Sequence, residues 1–153
     1  MADRDTKLVG SVNPSREQYK AIFGLPLDEP VLMLNLVRFR VVAEYASVDP
    51  EHGAPSMSGA EAYRCYSEAA TPIFERVGGT QVWIGKPELT LIGPTDEHWD
   101  LAFIARYPTA QSFVDMLKDP DYNRATRHRT AAVADSRLIR CAGLQPGRTF
   151  QPG

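Results

Sequence analysis

The chain has 153 residues, 43% of them hydrophobic, and a formal net charge of −2. That length and apolar content suit one domain with a real core and would be cramped for two. Near-neutral charge without a long run of either sign argues against a surface that tracks nucleic-acid phosphates, and no stretch approaches the roughly 20 apolar residues of a membrane span.

The N-terminus, MADRDTKLVGS, is polar and carries acids, so it does not read as a secretory signal and a cytoplasmic protein is expected. Residues 1–14 are expected to form a flexible N-terminus, 15–144 a single domain, and 145–153, with two Pro and two Gly, a flexible tail. Cys65 and Cys141 lie far apart with no CxxC and no neighbouring histidine, which fits reduced thiols.

Ser15-Arg16-Glu17-Gln18 is a capping box, followed by Tyr19, Ile22 and Phe23 at helical spacing and by the stop Gly24. A short amphipathic helix is predicted there. Val31 to Phe39, VLMLNLVRF, is short and almost continuously apolar behind Asp28-Glu29-Pro30, the pattern of a strand buried on both faces. Leu32, Leu34 and Leu36 are assigned to the helix side, and Met33, Asn35 and Val37 to the other. Ala46 to Ser58 is rich in Pro, Gly, Ser and Asp without a period. It reads as a long loop, more mobile than the helices, either over a site or as a tolerated insertion.

Ser58-Gly59-Ala60-Glu61 opens a long helix with an apolar stripe from Ala62 to Val77, kinked at Pro72 and ended by Gly78-Gly79. Thr80 to Ile84 is a strand, Gly85 a bulge, and Leu89 to Ile92 its continuation up to Gly93-Pro94. Trp99 to Tyr107 is a second central strand, with Asp100 and Arg106 on one face. Thr109 caps the next helix. Asp119-Pro120 restarts it, with Asp as N-cap and Pro in the first helical position. Asp135 to Cys141 is the last strand. Two βαβ crossovers joined by a hairpin make an α+β, ferredoxin-like βαββαβ fold, a four-stranded antiparallel sheet with helices on one face and an extra helix in front. The other apolar face then needs covering.

MLNLVRF, Tyr63 and Tyr66, Gly78-Gly79, Trp99-Asp100 and Tyr107-Pro108 together carry a resemblance. So do Asp119-Pro120-Asp121-Tyr122 and the run from Arg129-Thr130-Ala131-Ala132 to Asp135-Ser136-Arg137-Leu138-Ile139. From about Val31 to Cys141 the chain resembles a bacterial family, domain of unknown function 1330. The resemblance implies a dimeric α+β barrel, two ferredoxin-like units packed sheet against sheet, and hence a homodimer. It brings no catalytic residues with it. Relatives in the wider superfamily act without cofactors as monooxygenases, isomerases or dehydratases, which is likeness of fold and not of site.

Asn35 is the most informative residue, because an unpaired amide in a buried strand costs about 1–3 kcal/mol. It either projects into a barrel cavity and binds a ligand, or bonds a neighbouring side chain or a buried water. Asp100 and Arg106 are roughly 20 Å apart along their strand, too far to pair with each other, and serve either structural ion pairs or the site. Arg124, Arg127, His128 and Arg129 crowd a helix end, where they complement the macrodipole or form an anion-binding patch at the cavity mouth. His128 is the one histidine placed to act as a general base. Tyr63, Tyr66, Trp83 and Trp99 read as core or interface aromatics, of which one or two line a pocket.

The substrate-binding candidates are therefore Asn35, Tyr66, Trp83, Asp100, Arg106 and His128. No two histidines stand at metal-ligand spacing, and there is no phosphate loop or nucleophile elbow, so neither metal nor cofactor is expected. The expected function is binding of a small hydrophobic molecule, with cofactor-independent catalysis upon it or without any catalysis, in a protein that partners itself and neither nucleic acid nor membrane.

Overall fold

The computed structural model describes residues 11–46, 48, 56–147 and 150. The expectations of flexible ends and a mobile 46–58 loop rest largely on residues outside that set. The elements are α1 (Arg16–Ala21, continued by a 3-10 turn, Ile22–Gly24), β1 (Val31–Phe39), α2 (Gly59–Arg76), β2 (Thr80–Gly85), β3 (Leu101–Tyr107), α3 (Ala110–Lys118), α4 (Pro120–Ala132) and β4 (Val133–Cys141). The strands form one antiparallel sheet in the order β2–β3–β1–β4, the ferredoxin-like arrangement.

The helix starts are where local chemistry puts them. Ser15 and Ser58 each accept a hydrogen bond from the amide three residues on, and Gln18 and Glu61 reach back to the cap amides. The Asp119 carboxylate accepts from the amides of Asp121 and Tyr122 at 2.8 and 3.2 Å, with Pro120 in the first turn. Gly78 ends the α2 segment at φ +88°, a left-handed cap that suits glycine. Pro72 lies inside α2, and the helix continues through it to Arg76.

Two expectations are corrected. The first is the parity of β1. Val31 and Met33 are buried against Ala70, Ile73, Phe113 and Met116 of the helices, and Val37 is buried with Ala62 and Tyr63. The odd-numbered residues, Asn35 among them, therefore face the helix layer, while Leu32, Leu34 and Leu36 turn away from it. A strand that is apolar on both faces carries no signal for which face the helices take. The register extends the assignment: Leu34 lies opposite Ile104 and Ile139, and Trp83 opposite Ile104, all on the open face.

The second correction is that Leu89 to Ile92 is not strand. β2 stops at Gly85, opposite Ala102, because β3 begins only at Leu101 and offers no partner beyond it. Just upstream of β3 the chain turns to β1 instead. The Asp100 amide donates to the Val37 carbonyl, and the Asp100 carboxylate accepts from the Phe39 amide, both at 2.8 Å. Leu89, Leu91 and Ile92 are left exposed.

The core is divided. One buried cluster gathers around Met33, Ile73, Tyr107, Phe113 and Met116, the other around Val37, Tyr45, Tyr63, Ala132 and Val133. Asn35 sits on β1 between Met33 of the first and Val37 of the second. Tyr66 and Phe103, half-buried, pack against both.

Candidate functional site

Where the two clusters part, the helix side of the sheet opens into a half-open cleft of about 1760 Å³. Its floor is Met33, Asn35, Leu101, Phe103 and Ala105 from β1 and β3; its roof is Tyr63, Tyr66 and Phe74 of α2 with Phe113 and Tyr122 of the following helices. Residues 11–15 with Gln18, Tyr19, Ala21, Ile22 and Leu25 contribute the outer wall. The size exceeds the roughly 300–1,000 Å³ of an ordinary ligand pocket, as fits an enclosed part that continues into a surface groove.

The side chain of Asn35 is only partly satisfied. Its Nδ2 donates to the Met33 carbonyl at 3.0 Å, and its Oδ1 has no partner among the described residues. Above it, the Tyr66 and Tyr122 hydroxyls stand 2.8 Å apart, so one of the two protons remains available to a third atom. The Tyr63 ring lies 5.3 Å from that of Tyr66, and its hydroxyl makes no hydrogen bond among the described residues. Burial pushes the Tyr63 hydroxyl up to about 12, with the positive charge of Arg129 pulling the other way and Tyr122 adding to the rise. Burial also raises Tyr66 well above its ordinary value, helped by the neighbouring phenols and opposed by Arg129. These phenols are therefore neutral hydrogen-bonding groups at pH 7.

Arg129, on α4, enters the cleft from the side of β4. It donates to the Val12 carbonyl and, at 3.3 Å, to Ser136 Oγ. Ser136 Oγ in turn donates to the Ser11 carbonyl at 2.7 Å, and the Ser11 amide donates to Asp135 at 2.8 Å. The outer wall is thus fastened to the end of the sheet by polar contacts.

Of the six candidates read from the sequence, the structure brings two, Asn35 and Tyr66, to this cleft. Trp83 is on the open face of the sheet. Asp100 is exposed, with its carboxylate spent on the Phe39 amide. Arg106 is exposed at the strand end, opposite Leu32 and Thr80. His128 lies apart, its Nδ1 2.7 Å from the Tyr45 hydroxyl; burial, and then the charge of Arg127, lower its pKa. Tyr63, Tyr122, Arg129 and Ser136 are cleft residues that the candidates omit. Tyr63 was visible three residues before Tyr66 and Arg129 within the basic helix end, whereas nothing in the sequence announces the Ser11–Ser136 contact. Among the described residues no three His, Cys, Asp or Glu side chains gather as a metal site, and no helix is long and apolar enough to cross a membrane.

The family model described as Domain of unknown function (DUF1330) matches residues 55–142. No curated protein matches the chain. A crystal structure of the RPA0582 protein of unknown function from Rhodopseudomonas palustris is 47% identical, with a TM-score of 0.82, covering 90% of this chain and 99% of that one. A structure of methylated RPA0582 gives 46% identity, a TM-score of 0.84 and coverage of 92% and 99%. SnoaB, a cofactor-independent oxygenase from Streptomyces nogalater, is 19% identical with a TM-score of 0.47 over 77% of this chain and 96% of its own.

Proposed function

This chain belongs to the DUF1330 family, and from that premise we propose that it binds a small, largely apolar molecule in the cleft between its sheet and its helices. The observation that carries the reading is the division of the core at Asn35. A strand that could have been packed continuously instead places a half-satisfied amide between two apolar clusters, beneath a ring of phenols. Apolar walls with a few convergent polar groups are the usual composition of a ligand site.

The polar groups favour binding over proton abstraction. Among the described lining residues the only carboxylate is Glu75 and there is no histidine; the rest of the polar set is phenol, amide, hydroxyl and guanidinium. Such groups orient a ligand by hydrogen bonds but are poor bases at neutral pH. An isomerase, dehydratase or monooxygenase type of reaction at this cleft would draw on the same groups for orientation.

The reading includes a homodimer built sheet to sheet. Leu32, Leu34, Leu36, Ile104 and Ile139 share the face that no helix covers, with Trp83 beside them and 51% exposed. A patch of this kind marks an interface more often than a bare surface. Sedimentation equilibrium at micromolar concentration should give about twice the 17.0 kDa chain mass, and Leu34→Glu should shift it toward the monomer. A wild-type mass of one chain refutes the dimer.

The binding site is tested by NMR titration with 2-naphthamide, a planar neutral probe carrying one amide. Shifts should concentrate at Asn35, Tyr66 and Phe103. Shifts confined to Leu34, Leu36 and Ile104 on the opposite face refute the cleft.

A further inference from the structure

We propose that the ligand of this cleft carries an anionic oxygen, a carboxylate, phenolate or enolate on its apolar body, seated against Arg129. The inference rests on the cleft being the binding site and adds the charge of what it binds.

The charge count is one-sided. Four arginines touch the cleft (Arg40, Arg129, Arg137 and Arg140) against the single carboxylate of Glu75, although Arg137, opposite Leu36, belongs to the open face of the sheet. Two of the four are paired with carboxylates, and a third is tied to main chain. Arg40 meets Glu44 at 3.2 Å and Arg137 meets Asp135 at 2.8 Å, while Arg140 donates to the backbone carbonyls of Ile22 and Pro26. Arg129, like Arg140, has no carboxylate partner among the described residues, and its two hydrogen bonds go to a carbonyl and a hydroxyl, both neutral. It differs in being the guanidinium whose charge reaches the Tyr63 and Tyr66 phenols.

A guanidinium offers five N–H donors, so subtracting those two leaves three without a partner among the described residues. A partly buried cation answered only by dipoles is a place where an anion gains more than it would in water. The surroundings agree. Tyr63 presents a hydroxyl with no partner among the described residues, and the Tyr66–Tyr122 pair keeps one free proton. Both are donors lining the same cleft, suited to the remaining lone pairs of an anionic group seated at Arg129.

The basic helix end resolves accordingly. Arg124 is paired with Asp121, and His128 bonds Tyr45 outside the cleft. Arg129 is the member that lines the cleft.

The test compares 2-naphthoate with 2-naphthamide, probes of nearly one shape that differ in charge, by equilibrium binding and NMR mapping. Wild type should bind the naphthoate at least about tenfold more tightly. That preference should shrink between about 20 and about 500 mM NaCl as the screening length shortens. Arg129→Gln should bring the two affinities together, the naphthoate losing far more than the amide, and Arg129→Lys should restore part of the preference. Because the salt titration uses wild type alone, it decides the anion preference even if Arg129→Gln folds poorly, and naphthoate shifts at the Arg129 side-chain NH signals then assign it to that residue. Equal affinities in wild type, or a preference that survives Arg129→Gln, overturn the inference and leave the cleft standing. Neither probe shifting a cleft residue overturns both.

Discussion

Replacing Asn35 by leucine separates a binding role from a structural one without any ligand. The native side chain makes one hydrogen bond, Nδ2 to the Met33 carbonyl, in a half-buried position. Losing it should cost about 0.5–1.5 kcal/mol. Met33 lies in a strand paired on both sides, so its carbonyl stays in the ladder and is not orphaned. Oδ1 has no partner to strand among the described residues. Leucine then returns apolar burial between Met33 and Val37, where full burial of such a side chain is worth about 1.5–3 kcal/mol and half burial correspondingly less. The two terms nearly cancel, and the net loss should stay under about 1 kcal/mol. Urea melts of the two proteins measure it, at unchanged slope. A loss above about 2 kcal/mol would show that the protein itself depends on the amide, and the reasoning from a divided core would fail. The same variant should bind 2-naphthamide more weakly.

The remaining predictions concern the neighbours of the site. Tyr66→Phe and Tyr122→Phe should each cost about 0.5–1.5 kcal/mol, and the double variant distinctly less than their sum, because both remove one shared bond; strict additivity in denaturant melts would deny the pair. Gly59→Ala should destabilise strongly, since its Cβ would stand 2.1 Å from the Arg40 carbonyl oxygen and 2.8 Å from that of Ala132, both backbone; a melting temperature equal to wild type would show that the junction can yield. Burial, and then Arg127, hold the pKa of His128 below 6.5, so the folded state binds fewer protons there and stability should be lost as pH falls below about 6.5. His128→Asn should flatten that limb in melts followed against pH. For Asp135, burial pushes the pKa up, but hydrogen bonds from Ser11, Arg137 and Ser136 outweigh it and hold the carboxyl below 3.8. Its stabilisation is present above that value and lost as pH falls through the lowered one, a loss that Asp135→Asn should remove.

What the sequence disclosed follows from the range of the forces involved. The caps at Ser15, Ser58 and Asp119 depend on residues three apart, and each stands where its motif implies. The fold class followed from the alternation of elements along the chain. Parity on β1 did not, since leucines on one side and valine, methionine and asparagine on the other leave both faces apolar enough to meet helices. Leu89 to Ile92 looks like strand by residue type, but pairing needs a partner and β3 starts too late to supply one. In the cleft, Asn35 was conspicuous as a lone amide in an apolar run. Arg129 was one of several basic residues, and only the docking of residues 11–12, more than a hundred positions away, distinguishes it.

The wall formed by residues 11–25 is held chiefly through its main chain. Arg129, Ser136 and Arg140 donate to the carbonyl oxygens of Val12, Ser11 and Ile22, Asp135 receives the Ser11 amide, and no residue of α1 is buried. Such a fastening is indifferent to the segment's exposed side chains, though not to Val12 and Ile22, which pack on the two core clusters, or to the Ser15–Gln18 cap. The exposed positions of the lip can therefore be rewritten while the anchoring arginines keep their hold, and selectivity is free to evolve there at little cost to the fold.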